Sequence, residues 1–356
     1  MDTERDTEPD TEPDTTADMG TDWHGQQYER VRAVFDAAAS GGSGDVAILE
    51  RVRAEFPGRG DDLHAGVGVL RDLLRIESRP ERFRRLLRAW SGKIGAAIRR
   101  GDFYSAGTWM RAVTESPVFP ADFALHVTEA MRELSREELL QDLVVKLAAA
   151  GDPPSAAPLL AAWGEPLVEY MVGGMLVDEP VVSRRHLVEY LGMAGRADVR
   201  LLTPWLRDPR WFIVRNVATA VGKTGRATAV PALEAVVDHA DDRVRVEVVR
   251  ALVALKGDEG IGYAVAALRD QSPRVRQAAV SLLRASPSVE VIPGIVGILG
   301  DGPATGDETR RLVDVIAERR SPQALEALKG LVAKRGAIGG SRTVREVAKV
   351  ALERFR

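Results

Sequence analysis

Val244-Arg245-Val246-Glu247-Val248, ending at Leu252, aligns with Val275-Arg276-Gln277-Ala278-Ala279, ending at Leu283, and with Val344-Arg345-Glu346-Val347-Ala348, ending at Leu352. All three fit Val-Arg-x-x-(Ala/Val)-x-x-x-Leu. Val214-Arg215-Asn216-Val217-Ala218 fits the first five positions. Arg184-Arg185-His186-Leu187-Val188 and Thr309-Arg310-Arg311-Leu312-Val313 are degenerate copies. The aligned arginines Arg185, Arg215, Arg245, Arg276, Arg310 and Arg345 stand 30, 30, 31, 34 and 35 residues apart. A second echo fixes the register: Gly192-Met193-Ala194-Gly195-Arg196-Ala197 returns 30 residues later as Gly222-Lys223-Thr224-Gly225-Arg226-Ala227. Such a period, without period-two alternation, predicts one helix pair per repeat, stacked in series. Val, Ala and Leu at four-residue spacing turn one face of each second helix to the core. A lone pair cannot cover that face, so several copies must lean on one another.

Helix ends are signalled around this frame. Asp208-Pro209 and Ser272-Pro273 each set a capping side chain before a proline, which the first helical turn tolerates. Gly192 and Gly222 suit a chain reversal at a helix end. Upstream, the chain reads as amphipathic segments broken by Gly, Pro, Asp and Ser. Val31, Val34 and Phe35 share a face, Gly41-Gly42-Ser43-Gly44 is a turn, and Leu63, Val67, Leu70 and Leu74 form a stripe. Phe83, Leu86, Leu87 and Trp90 form another stripe beside the arginines between Arg82 and Arg88. Further segments run through Leu125 to Met131 and Leu139 to Leu147. About twenty helical segments of roughly ten to twenty residues are expected.

Composition agrees with helices packed through small and branched side chains. Of 356 residues 45% are apolar and only 5% aromatic, and there is no cysteine, which excludes disulfides, thiolate metal sites and a Cys nucleophile. Residues 1–27 hold nine acids and one Arg, so the net charge of −3 divides into −8 there and +5 in the remainder. The loose Asp-Thr-Glu-Pro copies within residues 1–22 cannot bury enough apolar surface to order themselves. A disordered acidic tail over 1–27 is therefore expected, with order beginning near Tyr28. Degenerate helical repeats are expected over 28–177 and the regular array over 178–356. Gly151-Asp152-Pro153-Pro154 is the clearest break inside the ordered region, with stacking expected to continue across it. The first thirty residues show no secretory apolar core, and Leu167 to Val177 is about half a membrane span. A cytoplasmic protein without membrane association is the expectation.

The segment 178–300 resembles bacterial HEAT repeats, especially the short type also found in phycobilisome lyases. The resemblance is carried by Asp208-Pro209-Arg210-Trp211-Phe212-Ile213-Val214-Arg215-Asn216 and Asp241-Asp242-Arg243-Val244-Arg245. It extends over the last 180 residues and reaches 28–177 only through helical character. It implies an all-α fold, a right-handed α-solenoid of stacked antiparallel helix pairs. For function it implies three classes: scaffolds, DNA-lesion glycosylases and chromophore lyases.

Candidate sites follow from the repeats. The second helices are expected to build a concave face. Arg210, Trp211, Arg215, Arg243, Arg245, Arg274 and Arg276 are its contact candidates for an acidic protein segment. The competing structural reading has each arginine bonding an acid of the next repeat or a helix-end carbonyl. Trp205, Asp208 and Trp211 form the alternative site. HEAT-like glycosylases use tryptophans and an acid on the concave face to hold a damaged nucleotide, and the arginines nearby suit nucleic acid. The simpler reading makes both tryptophans core and Asp208 a cap.

Other motifs yield little. Gly222-Lys223-Thr224 resembles the end of a phosphate-binding loop, but Val217 stands where that loop needs Gly. The five histidines His24, His64, His126, His186 and His239 show no metal-ligand spacing. Phe103-Tyr104-Ser105-Ala106-Gly107-Thr108-Trp109-Met110 reads as core before it reads as a partner groove. The expectation is a non-catalytic scaffold with a protein partner, no cofactor and no metal. Nucleic-acid binding, with or without glycosylase activity, and chromophore lyase activity are the alternatives.

Overall fold

A computed structural model describes residue 33 and residues 62–354, apart from 116–118, 302–304 and 334–338. The readings at Val31, Val34, Phe35, Gly41–Gly44 and the 1–27 tail fall outside the described residues. Among those described there are seventeen α-helices and no strand. No described helix is long and apolar enough to cross a membrane. The chain divides into two compact units, Met1–Leu134 and Ser135–Arg356.

The first unit contains α1 (Asp62–Ile76), α2 (Pro80–Arg100), α3 (Phe103–Thr114) and α4 (Ala124–Leu134). The anticipated α2 stripe is its core: Phe83, Leu86, Leu87 and Trp90 are all buried. Phe83 stacks on Phe123 at 4.4 Å. The indole Nε1 of Trp90 donates to the Trp109 carbonyl at 2.6 Å, so the ring buries its apolar area without leaving a donor unpaired. The Phe103–Met110 segment is helix α3. Phe103, Trp109 and Met110 are core, and Tyr104 alone of its aromatics is exposed.

The second unit is an α-solenoid. It starts with α5 (Glu137–Ala149), α6 (Ala157–Trp163) and α7 (Glu165–Gly174). The second helices of its repeats are α8 (Arg184–Gly195), α9 (Trp211–Gly222), α11 (Asp242–Lys256), α13 (Pro273–Ala285), α15 (Gly306–Glu318) and α17 (Gly339–Glu353). The intervening first helices are α10 (Val230–Glu234), α12 (Ile261–Ala267), α14 (Val291–Asp301) and α16 (Pro322–Ala333). Second helices pack in series, α8 on α9, α9 on α11, α11 on α13, α13 on α15 and α15 on α17. First helices do the same from α12 to α14 to α16.

The repeat signature explains that order. Val244, Val248 and Leu252 are fully buried, as are Val275, Ala279 and Leu283. Each buried Val or Leu contributes about 1.5–3 kcal/mol relative to exposure, and it is buried only because a neighbouring pair covers it.

Three expectations need correction. The first helices are shorter than roughly ten residues in places: α10 spans five residues and α12 seven. Between α8 and α9 the first-helix position is taken by 3₁₀ turns at Val199–Leu201 and Thr203–Arg207. Gly192 and Gly222 do not reverse the chain. Both lie in the last turns of helices, and Gly225, at φ 68°, makes the turn. Gly222 serves close packing instead, because a Cβ there would meet the Ala251 Cα at 3.0 Å. Ser272 caps nothing with its side chain; its hydroxyl donates to Asp242 Oδ2 at 2.7 Å.

The Gly151–Pro154 break lies within the second unit. Gly151 and Asp152 both adopt positive φ, at 73° and 57°. The Tyr190 hydroxyl of α8 donates to Asp152 Oδ1 at 2.7 Å, and α8 packs on α6. That bond holds the turn against the following helix. Burial and the adjacent carboxylate push the Tyr190 phenol well above its ordinary pKa, so it stays a donor. His186 lies 3.9 Å from Asp152 Oδ2 and 3.3 Å from Ser183 Oγ. Ser183 is the N-cap of α8 and accepts the His186 backbone N–H, so this trio is a helix start tied to a turn.

Candidate functional site

The arginines of the repeats divide into three structural groups. The first group staples repeats together. Arg245 donates from Nε and Nη2 to the two oxygens of Asp270 at 2.8 and 2.7 Å, and from Nη1 to the His239 and Ala240 carbonyls at 2.8 and 3.1 Å. Arg276 repeats the arrangement. It pairs with Glu308 at 2.9 Å and caps the Asp270 and Gln271 carbonyls at 2.9 and 3.1 Å. Each therefore closes carbonyls five and six residues back and an acid about one repeat ahead. The Arg245 side chain is only 8% exposed.

The second group clips itself to an acid two residues earlier. In Asp198/Arg200, Asp208/Arg210 and Asp241/Arg243 the carboxylate accepts the arginine's backbone N–H, its Nε and its Nη2. The Asx turn and the bidentate pair share one carboxylate, which orders the start of the next helix. The Arg210 pair holds the Asp208 carboxyl below its ordinary range, and that carboxylate is 7% exposed. Asp208 thus sits closed over Arg210. Trp205 and Trp211 are both half-buried, and the Arg215 and Arg243 guanidinium groups lie over the Trp211 ring.

The third group lines a groove. Arg215 of α9, Arg243, Glu247 and Arg250 of α11, and Arg274, Gln277 and Ser281 of α13 enclose about 340 Å³. The helical period makes this possible, because 243, 247 and 250, like 274, 277 and 281, fall on one face of their helices. The Arg243 guanidinium lies 3.4 Å above the Trp211 ring centroid, with Arg215 at 5.6 Å, a cation–π stack at the groove's edge. Glu247, the one acid among the lining residues, is engaged by Arg250 at 2.7 Å and by the Thr219 hydroxyl at 3.3 Å.

The remaining charge is uneven. Arg243 is clipped to Asp241. Among the described residues Arg215 donates only to the neutral amide oxygen of Asn216, at 2.8 and 3.3 Å. Arg274 has no hydrogen-bond or ion-pair partner among the described residues, and it is exposed. Its alignment explains why. Ser272-Pro273-Arg274 occupies the place of Asp241-Asp242-Arg243 in the preceding repeat, so a serine stands where the clipping carboxylate would be.

Of the seven contact candidates, the structure brings Arg215, Arg243 and Arg274 into one groove with Trp211 at its rim. Arg210 is held at the start of α9 by Asp208, and Arg245 and Arg276 lie in the seams between repeats. Sequence reasoning missed Glu247, Arg250, Gln277 and Ser281. Their spacing from Arg243 and Arg274 was the available signal.

Residues 165–252 and 233–311 match the family model described as HEAT repeats. Residues 165–311 are built on HEAT repeats. The match starts upstream of the 178–300 segment, within α7, and ends in α15. No curated relative matches the sequence. Among solved structures, the chain is similar to the CpcE–CpcF complex of phycocyanin lyase from Nostoc sp. PCC7120. Identity is 18% over 60% of this chain and 94% of that one, with a TM-score of 0.29. It is similar to human deoxyhypusine hydroxylase in complex with glycerol at 16% identity, over 71% of this chain and 96% of that one, TM-score 0.30. Importin beta shares 13% identity over 97% of this chain and 60% of that one, TM-score 0.31.

The clips and staples make stability depend on pH. Asp208, Asp241 and Asp270 all have carboxyl pKa values lowered chiefly by hydrogen bonds from arginine, Asp241 to about 2. A depressed folded-state value adds stability above the unfolded value of 3.8 and loses it as pH falls through the folded one. Thermal melts of the full chain should be flat from about pH 7 to 5 and fall steeply between about pH 4 and 2. Asp241→Asn and Asp270→Asn should flatten that limb; an unchanged limb in both variants would count against the assignment.

Proposed function

We propose that this protein is a non-catalytic interaction scaffold that binds an acidic protein segment in the groove between α9, α11 and α13. The observation that supports the reading is the placement of Arg215, Arg243, Arg250 and Arg274 around one cavity that contains a single, already engaged acid. Guanidinium groups recognise carboxylates through paired N–H donors, and the helices hold the forks in place before a ligand arrives. An extended acidic segment could run across successive second helices and meet one arginine per repeat. The unit Ser135–Arg356 has 31 Lys and Arg against 28 Asp and Glu, a net of +3. Attraction is thus local to the groove, without the strong basic surface of a general nucleic-acid binder.

The test is fluorescence anisotropy of a labelled polyglutamate peptide against the full chain at low salt. Binding should weaken about 10-fold or more in the Arg215→Glu/Arg274→Glu variant, with the melting temperature preserved, because neither arginine supports a carboxylate of the fold. Equal binding by the variant, or none by the parent, would refute the reading.

A further inference from the structure

Resting on the groove assigned above, we infer that its specific ligand is a phosphorylated side chain, a phosphoserine or phosphothreonine within the partner segment. Charge matching decides between this and a carboxylate. Four arginines line the groove, and two of them are already neutralised, Arg243 by Asp241 and Arg250 by Glu247. That leaves Arg215, bound to a neutral amide, and Arg274, without a partner among the described residues. Two positive charges remain uncompensated by direct contact. A carboxylate supplies one negative charge, whereas a phosphate monoester supplies about 1.5–2 near neutral pH.

The donor inventory points the same way. Arg274 keeps all five N–H donors, and Nη1 of Arg215 and of Arg243 and Nε and Nη2 of Arg250 make no hydrogen bond within the described fold. A carboxylate has two oxygens to offer these donors. A phosphate monoester has three terminal oxygens arranged in three dimensions, which suits donors arriving from three different helices. Ser281 and Gln277 on α13 add neutral hydrogen-bonding groups to the lining.

The origin of the vacancy is legible in the repeat itself. The preceding repeat places Asp241 two residues before Arg243 and closes the clip. This repeat places Ser272 there, and its hydroxyl is turned to Asp242 instead. The substitution leaves one guanidinium of the series uncommitted, at the place where Arg215 and Arg243 also converge.

The experiment uses three fluorescein-labelled pools of short peptides with degenerate flanks and a fixed centre: phosphoserine, glutamate or serine. Each is titrated against the full chain, with inorganic phosphate and an oligothymidine strand as competitors. The phosphoserine pool should bind about 10-fold more tightly than the glutamate pool, and millimolar phosphate should compete. Arg274→Ala should remove most of that preference, and Arg274→Lys should restore only part, since an ammonium keeps the charge and loses the fork. Circular-dichroism melts check that both variants fold as the parent does. Equal binding of the phosphoserine and glutamate pools would overturn the phosphate assignment and leave the acidic-segment reading standing. Binding by no pool would overturn both. Oligothymidine binding tighter than the phosphoserine pool would overturn both in favour of a nucleic-acid backbone.

Discussion

Arg245→Ala should destabilise the unit Ser135–Arg356 by about 3–5 kcal/mol, the largest loss expected from removing a single charge. The guanidinium does two jobs at once. It neutralises Asp270, whose side chain is only 14% exposed, and it closes the His239 and Ala240 carbonyls at the turn before α11. Alanine would leave Asp270 with the Ser272 N–H as its remaining donor, inside the contact between neighbouring repeats. Arg269→Ala is the control. Arg269 pairs with Asp301 at the same 2.7 Å, but both side chains are more than half exposed, so water replaces the partner and the change should stay within about 1 kcal/mol. The double variant Arg245→Met/Asp270→Leu should lose less than Arg245→Ala, because neither charge is then stranded. Urea midpoints of the full chain measure all three. Similar small shifts for Arg245→Ala and Arg269→Ala would show that the staple is not holding the repeats together.

The fold was legible because stacking is written into side-chain chemistry at a fixed interval. Val214, Val244, Val275 and Val344 repeat for one physical reason, the need to cover a face that a single pair cannot cover. The first helices were less legible. Pro204 and Pro231 stand in the first turn of their segments, which settle into 3₁₀ turns and a five-residue helix without disturbing the second helices that define the period. The arginines were legible as a series but not in their roles. A repeat alignment says that Arg215, Arg245 and Arg276 are equivalent; it does not say whether an acid lies within reach. Arg245 finds Asp270, at the position where the preceding repeat has His239, and Arg215 is left to a neutral amide. Arg276 finds Glu308, which aligns with Arg274, a position from which no carboxylate was foreseeable. The groove arises from those departures, so a regular reading of the repeat could place the face but not separate staples from contacts. Arg250 was the avoidable omission, two turns along from Arg243 on the same helix.

Gly260→Ala should cost about 3 kcal/mol, near the upper end for adding a methyl group to a packed interior. A Cβ at this buried position would lie 2.8 Å from the Val253 Cα and 2.9 Å from the Leu252 carbonyl oxygen. Both are backbone atoms of α11, the helix that positions Arg243, Glu247 and Arg250. No rotamer change relieves the clash, so the 3₁₀ turn Gly257–Gly260 must move away from α11, and α12, which begins at Ile261, must move with it. Burial of Ile261 and Ala264 depends on that contact. Gly262, two residues later, separates packing from glycine's backbone freedom. Nothing lies within 4 Å of a Cβ there and the residue is helical, so Gly262→Ala should be neutral or stabilising by up to about 1 kcal/mol. Opposite shifts in melting temperature for two glycine-to-alanine changes in one turn are therefore expected. If Gly260→Ala melts with the parent, the turn does not press on α11 as described, and the close seating of the repeat that carries Arg274 against the one that carries Arg243 loses its support.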